Sequence, residues 1–176
     1  MLDQIYYWDN LLTKEEYDLL MVEFEKYHWS FDQGSSSKNL NGRTFWYKEL
    51  FNSEYAVNLF VSKVKEFLKV DIRPDRLYAN GQAHGQCGDI HQDITYGPEI
   101  EGNWGTLVYF AHQNWYPTFG GHLIITDPDH TIVKNSFFPK TNSAVMFESR
   151  LHHAGLEPTV HCKTQRLSIA FKFKVI

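Results

Sequence analysis

The stretch Arg166-Leu167-Ser168-Ile169-Ala170-Phe171-Lys172-Phe173-Lys174-Val175 decides the fold class. Leu167, Ile169, Phe171, Phe173 and Val175 point to one side of an extended chain, and Arg166, Ser168, Ala170, Lys172 and Lys174 to the other, the period of two that a strand imposes. The first set has the character of a core layer. The second opens with a guanidinium, a hydroxyl and a small residue on one face, a surface able to hold a polar ligand. It closes on two lysines free to leave for solvent.

Working upstream, short strands are predicted at Leu77–Asn80, Thr106–Ala111, His122–Thr126 and Ser143–Phe147. Turn chemistry at Gly120-Gly121, Asp127-Pro128-Asp129 and Pro139 separates them; the two aspartates of that turn look like a metal pair but read more simply as a turn. Two helices precede the strands. Thr13 caps the first, with Glu15 and Glu16 in its first turn and Tyr17, Leu20, Met21 and Phe24 at helical spacing. The second is predicted from about Glu54 to Leu68, with Val57, Phe60, Val61, Val64, Phe67 and Leu68 as its buried stripe. Between them Asp32 to Asn41 is rich in Ser, Asn and Gly and reads as a loop, followed by Arg43, Phe45, Trp46 and Tyr47. No internal repeat or domain boundary is visible. The expectation is a mainly β chain with N-terminal helices: one domain over 1–176, helical support over about 1–70 and a sandwich or jelly-roll core over about 76–176.

Composition fits that picture. The length of 176 residues suits one domain, and 43% hydrophobic against 22% charged residues provides a core and rules out a disordered tail. Aromatics at 16% are heavy for a helical bundle and suit a pleated surface. A net charge of −4 argues against nucleic-acid binding. No apolar run approaches about 18 residues, and the N-terminus lacks a basic region followed by an apolar one. The expectation is therefore a cytoplasmic protein with no signal peptide and no membrane association. Cys87 and Cys162 are too few for a disulfide framework or a zinc cluster and are expected to fill small apolar gaps.

The nine histidines carry the chemistry. In His91-Gln92-Asp93 an imidazole and a carboxylate two residues apart face the same way on an extended segment. Alone this is weak, since an exposed loop histidine beside an acid is the commoner reason for such a pair. Further on, Phe147-Glu148-Ser149-Arg150-Leu151-His152-His153 brings a strand end, a turn and two histidines, followed by Arg166 at the head of the alternating strand. Two histidines and one carboxylate on one face of a metal form the facial triad of non-haem Fe(II) oxygenases. Three positions stay open, enough for a bidentate 2-oxo acid and O₂.

From Tyr78 to Lys172 the chain resembles the 2-oxoglutarate/Fe(II)-dependent dioxygenases of the prolyl 4-hydroxylase-like branch. The pieces occur in the family's order: Tyr78-Ala79-Asn80-Gly81, His91-Gln92-Asp93, Thr106-Leu107-Val108-Tyr109-Phe110, Gly120-Gly121-His122-Leu123, His153-Ala154-Gly155-Leu156-Glu157-Pro158 and Arg166-Leu167-Ser168. The resemblance implies a double-stranded β-helix of the jelly-roll, cupin-like kind braced by the two helices. It implies that His91, Asp93 and His153 hold Fe(II), with His153 preferred over His152 because it begins the H-A-G-L-x-P stretch. Arg166 would receive the distal carboxylate of 2-oxoglutarate as a bidentate fork, with help from the Ser168 hydroxyl. Tyr78 would stand near the cosubstrate; Thr106 would line the cofactor pocket or be an ordinary strand residue. The implied reaction is hydroxylation of a substrate C–H bond with O₂, 2-oxoglutarate going to succinate and CO₂. Asp93, where no Gly or Ala frees a site for halide, favours hydroxylation over halogenation.

Two departures stand out. His122 follows Gly-Gly where the family often has an acid; it faces the pocket mouth or lies on the surface. Phe110 falls near a tyrosine of some relatives, with Tyr109 on the opposite side of the strand. Of the remaining histidines, His84 is expected at the entrance and His28, His112, His130 and His161 on surfaces or turns. Phe45, Trp46, Tyr47, the segment Tyr96 to Trp104, and Trp115 and Tyr116 are expected at the rim, or else packing the barrel edges. The leading expectation for the substrate is a prolyl or other residue in a peptide or protein. Next comes a free amino acid or other small molecule. A non-catalytic jelly-roll binding module is the rival of another class. No oligomeric state is implied.

Overall fold

The structure is a computed structural model that describes residues 4–33, 44–94 and 101–176. The predicted Ser/Asn/Gly loop and the start of the Tyr96–Trp104 segment lie largely outside the described residues. Two antiparallel sheets face each other. The larger has seven strands in the order β1-β8-β5-β10-β4-β3-β2, and the smaller has three in the order β7-β6-β9. The larger sheet comprises β1 (Tyr6–Trp8), β2 (Ser30–Gln33), β3 (Phe45–Glu49), β4 (Ile72–Gln82), β5 (Trp104–Phe110), β8 (Ala144–Glu148) and β10 (Arg166–Val175). The smaller comprises β6 (Leu123–Thr126), β7 (Val133–Phe137) and β9 (His153–Gly155). This is the expected jelly roll braced by helices. The expected strands all form, and β4 runs longer than expected. Five more, β1, β2, β3, β7 and β9, were not foreseen; three to five residues each, they are held by pairing rather than by their own pattern.

Helix α1 (Lys14–Phe24) starts at a capping box: the Thr13 hydroxyl accepts from the Glu16 N–H at 3.2 Å, and the Glu16 carboxylate accepts from the Thr13 N–H at 2.8 Å. At its other end the buried Lys48 ammonium donates to the Phe24 carbonyl at 2.9 Å. Helix α2 (Glu54–Leu68) is capped by Ser53 and stops at Lys69, which takes the left-handed conformation at φ 56°. Its fully buried residues are Ala56, Leu59, Phe60 and Val64, with Val57, Val61 and Leu68 partly buried against the core, so the predicted stripe holds in part and extends to Ala56 and Leu59. Phe67, in the last turn of the helix, is 43% exposed, its ring edge-on to Tyr6 and Trp8. No helix of the described residues is long and apolar enough to cross a membrane.

Strand β10 separates two environments. Ile169, Phe171 and Phe173 join Leu20, Leu59, Phe60, Leu77 and Tyr109 in the core between sheet and helices. Each fully buried large apolar side chain contributes about 1.5–3 kcal/mol. Val108, Phe110, Leu123, Ile125, Val145 and Phe147 form a smaller cluster between the two sheets. Beside it the opposite face of β10 lines a cavity.

Candidate active site

The cavity is floored by alternate residues of β4 and β10. Tyr78, Asn80 and Gln82 point into it from β4, and Arg166, Ser168, Ala170 and Lys172 from β10. Antiparallel register sets these in rows: Arg166 beside Gln82, Ser168 beside Asn80, Ala170 beside Tyr78 and Lys172 beside Arg76. Strand β5 extends the rows with Phe110 beside Ser168, Val108 beside Ala170 and Thr106 beside Lys172.

One face of the cavity carries the two histidines. His91 and His153 exchange both backbone hydrogen bonds, N–H to carbonyl at 3.0 and 2.9 Å, so their side chains emerge together with ring centroids 4.5 Å apart. The Asp93 N–H donates to the Ser149 carbonyl at 2.9 Å, which turns its carboxylate toward both rings. His91 Nε2 lies 3.4 Å from Asp93 Oδ1, and His153 Nε2 lies 3.5 Å from Oδ2. One donor atom from each residue falls within 4.8 Å of the others, a group able to hold a metal ion. His152 does not join it; its ring packs against His130 instead, at 4.9 Å.

The protonation pattern suits a metal. Each imidazole is held through Nδ1 by the carbonyl two residues earlier, His91 by Asp89 at 2.8 Å and His153 by Leu151 at 2.9 Å. With the proton on Nδ1, both Nε2 lone pairs face Asp93. Burial brings the His153 pKa down to about 4, so it is neutral at physiological pH. For Asp93, burial works upward, but His153, Lys172 and His91 outweigh it and hold the carboxyl well below the usual range. Thr106 Oγ1 donates to Asp93 Oδ2 at 2.6 Å and sits 2.8 Å from Ser149 Oγ. Thr106 thus lines the cavity, and its contact is with the carboxylate. Oδ1 is buried against the Lys172 ammonium at 2.5 Å in an ion pair. Two bare imidazole nitrogens converging with a carboxylate fit a divalent cation.

At the other end stands Arg166, 2% exposed. Its Nε donates to the Gly121 carbonyl at 2.6 Å, and its Nη1 to Gln82 Oε1 at 2.8 Å and Ser168 Oγ at 3.1 Å. Phe110 lies beneath the guanidinium, 5.3 Å from ring centroid to Cζ. Among the described residues no carboxylate pairs with it. Burial lowers its pKa to about 10, which leaves it charged at neutral pH. The two glycine motifs make room for it. A Cβ on Gly155 would meet Arg166 Nη1 at 3.2 Å, and one on Gly121, at φ +73°, would meet Arg166 Cδ at 3.1 Å.

Several expectations need correction. Lys172 does not leave for solvent: it is 4% exposed, and its Nζ lies 5.2 Å from the centre of the Tyr78 ring. Burial works against its ammonium, yet Asp93 and Tyr78 hold its pKa above the ordinary value. Tyr78 lines the cavity beside Lys172, stacked on Tyr47 at 5.3 Å. His112 is buried, not on a surface; its ring nitrogens take the Pro139 carbonyl at 2.6 Å and the Leu167 N–H at 3.3 Å. Trp115 stacks on it at 4.1 Å and donates to the Gly120 carbonyl, packing behind Arg166 rather than at the rim. Phe45 and Tyr47 do line the cavity, while Trp46 packs on Phe31. His84 is not among the lining residues, its Nδ1 lying 3.1 Å from the Pro158 carbonyl, and His122 packs on Phe138. Cys87 and Cys162 occupy half-exposed turns, each near a backbone carbonyl, instead of apolar gaps. Sequence reading passed over Gln82 as well, although Tyr78, Asn80 and Gln82 share a face by alternation.

Residues 76–174 match the model of the 2OG-Fe(II) oxygenase superfamily. Solved structures share the fold. A prolyl hydroxylase from Trichoplax adhaerens, in complex with a peptide fragment of the hypoxia inducible factor oxygen degradation domain, superposes with a TM-score of 0.70 at 16% identity, covering 97% of this chain and 83% of that one. A Pseudomonas putida prolyl-4-hydroxylase gives 0.65 at 16% identity, covering 97% and 92%. An oxidoreductase of the 2OG-Fe(II) oxygenase family from Burkholderia pseudomallei gives 0.72 at 9% identity, covering 97% and 84%. No curated protein matches in sequence.

Proposed function

The chain belongs to the 2OG-Fe(II) oxygenase superfamily, and on that premise we propose that it hydroxylates a C–H bond of a prolyl residue in a peptide or protein. Such an enzyme uses Fe(II), 2-oxoglutarate and O₂ and releases succinate and CO₂. One observation carries the reading: a buried guanidinium without an acid partner among the described residues shares a cavity with two imidazoles and a carboxylate. A fold that buries an unpaired cation does so at a cost unless a ligand brings the counter-charge.

In this reading His91 and His153, through Nε2, and Asp93 would hold the metal. Arg166, with Ser168, would bind the distal carboxylate of the cosubstrate. The metal and its cosubstrate supply the oxidising chemistry when bound. The chain's own residues do the rest. The carbonyls of Asp89 and Leu151 fix the imidazole tautomers, and Thr106 orients Asp93. Val108 and Leu123 line the cavity with apolar surface that excludes water. Residues 1–176 act as one domain in which the helices brace the sheet. The likeness to prolyl hydroxylases, one of them bound to a peptide, supports a peptide substrate, as does the aromatic edge formed by Phe45 and Tyr47. A free amino acid or another small molecule is the second reading.

The test is succinate formation by anaerobically purified protein supplied with Fe(II), 2-oxoglutarate and air, followed by mass spectrometry of a peptide array for oxygen adducts. His153→Ala should abolish turnover and His152→Ala should retain most of it; the reverse would move the ligand role to His152. No succinate with or without peptide would favour a non-catalytic binding module.

A further inference from the structure

The cavity has a cation at each end, and their surroundings differ. Rows two residues apart are spaced about 6.7 Å along a strand, so Arg166 and Lys172, three rows apart on β10, enter from opposite ends. The single carboxylate facing Lys172, at 2.5 Å, is Asp93, the one that a metal would take. Around it stand Tyr78, Thr106 and Arg76, and the last is paired at 3.4 Å with Asp75 outside the cavity lining.

The charge count does not close. Among the described lining residues, Asp93 is the sole acid, and Arg166 and Lys172 are the cations without an outside partner. A divalent metal and a dianionic cosubstrate cancel one another. Asp93 then offsets one of the two side-chain cations and leaves one positive charge unmatched in the cavity. An unmatched buried charge of that kind is costly.

We infer that Lys172 anchors a carboxylate carried by the substrate, next to the metal-facing end of the cavity. The inference rests on the oxygenase reading of the site and narrows its substrate. The carboxylate comes either from a free acid, such as an amino acid, or from an acidic residue beside the target in a peptide. If Lys172 served only to hold Asp93 in place, it would impose no such preference.

The experiment uses the full chain as its anaerobic Fe(II)–2-oxoglutarate complex, read by its visible charge-transfer absorption. The probes are acetate, L-proline against L-prolinamide, and a capped prolyl peptide bearing Glu against the same peptide bearing Gln. In the wild type, at least one acid should bind about tenfold or more tightly than its amide, as expected of a charge-assisted contact. Lys172→Gln should bring each pair within about twofold, the ordinary scatter of such contacts, and Lys172→Arg should keep part of the preference, which shows that the fold survives. The pair that responds identifies the source of the carboxylate. Equal binding of acid and amide, no response to any acid, or a preference that persists in Lys172→Gln would overturn the anchor. Absence of the absorption band in the wild type would instead bring down the oxygenase reading itself.

Discussion

The two ends of the cavity solve the problem of a buried cation in different ways. Arg166 is satisfied by neutral acceptors alone: two side-chain oxygens and a glycine carbonyl hold it, with an aromatic ring beneath. Lys172 is satisfied by a charge, the Asp93 carboxylate. Neutral acceptors fix a guanidinium in place without cancelling it, so that end stays attractive to an anion whatever else is bound. An ion pair cancels the ammonium until its partner is engaged elsewhere. One end is therefore permanently positive, and the other becomes so when Asp93 turns to a metal.

That contrast can be broken by substitution. The largest effect should come from Lys172→Met in metal-free protein. Removing one partner of a buried pair costs about 3–5 kcal/mol, read as a lowered urea midpoint, and the loss should shrink once a divalent metal is added. Equal losses with and without metal would mean that the pair is not conditional. Arg166→Met should behave in the opposite way: with no acid left stranded, metal-free stability should hold or rise. Binding of 2-oxoglutarate should weaken by about 30- to 1000-fold, equivalent to roughly 2–4 kcal/mol of charge-assisted hydrogen bonds, by calorimetry of an anaerobic complex. A smaller effect concerns His112, which props the Arg166 end from behind. Burial lowers its pKa to about 4. The unfolded chain, with an ordinary value near 6.5, takes up the proton first as pH falls. Stability is then full above about 6.5 and is lost through the window down to about 4, by about 2 kcal/mol between pH 7 and 5. His112→Asn should flatten that slope in urea titrations; an unchanged slope would show that the ring does not titrate as described.

Much of this was legible in the chain. The alternation of β10 put Arg166 and Ser168 on one face and Ile169, Phe171 and Phe173 on the other, and the register of the sheet agrees. His91-Gln92-Asp93 and His153 meet because a two-residue bridge joins them, and the order of motifs anticipated that meeting. Lys172 escaped because a lysine near a strand end ordinarily extends its ammonium to water. What holds it inward is a carboxylate far away in sequence, on a segment whose position is set by Ser149 and Thr106. His112 escaped for a similar reason: its partners are the Pro139 carbonyl and the Leu167 N–H, backbone groups that carry no mark in the sequence. The stripe of α2 was right at Phe60 and Val64 but missed Ala56 and Leu59, because spacing gives a period, whereas the packing beneath chooses the phase.

Crystals grown anaerobically with Fe(II) and 2-oxoglutarate, measured at the iron absorption edge, address the site directly. The expected anomalous peak lies among His91 Nε2, Asp93 and His153 Nε2, with the distal carboxylate of the cosubstrate on Arg166. A peak elsewhere, or a cosubstrate carboxylate bound away from Arg166, would contradict the reading of this cavity as the oxygenase centre.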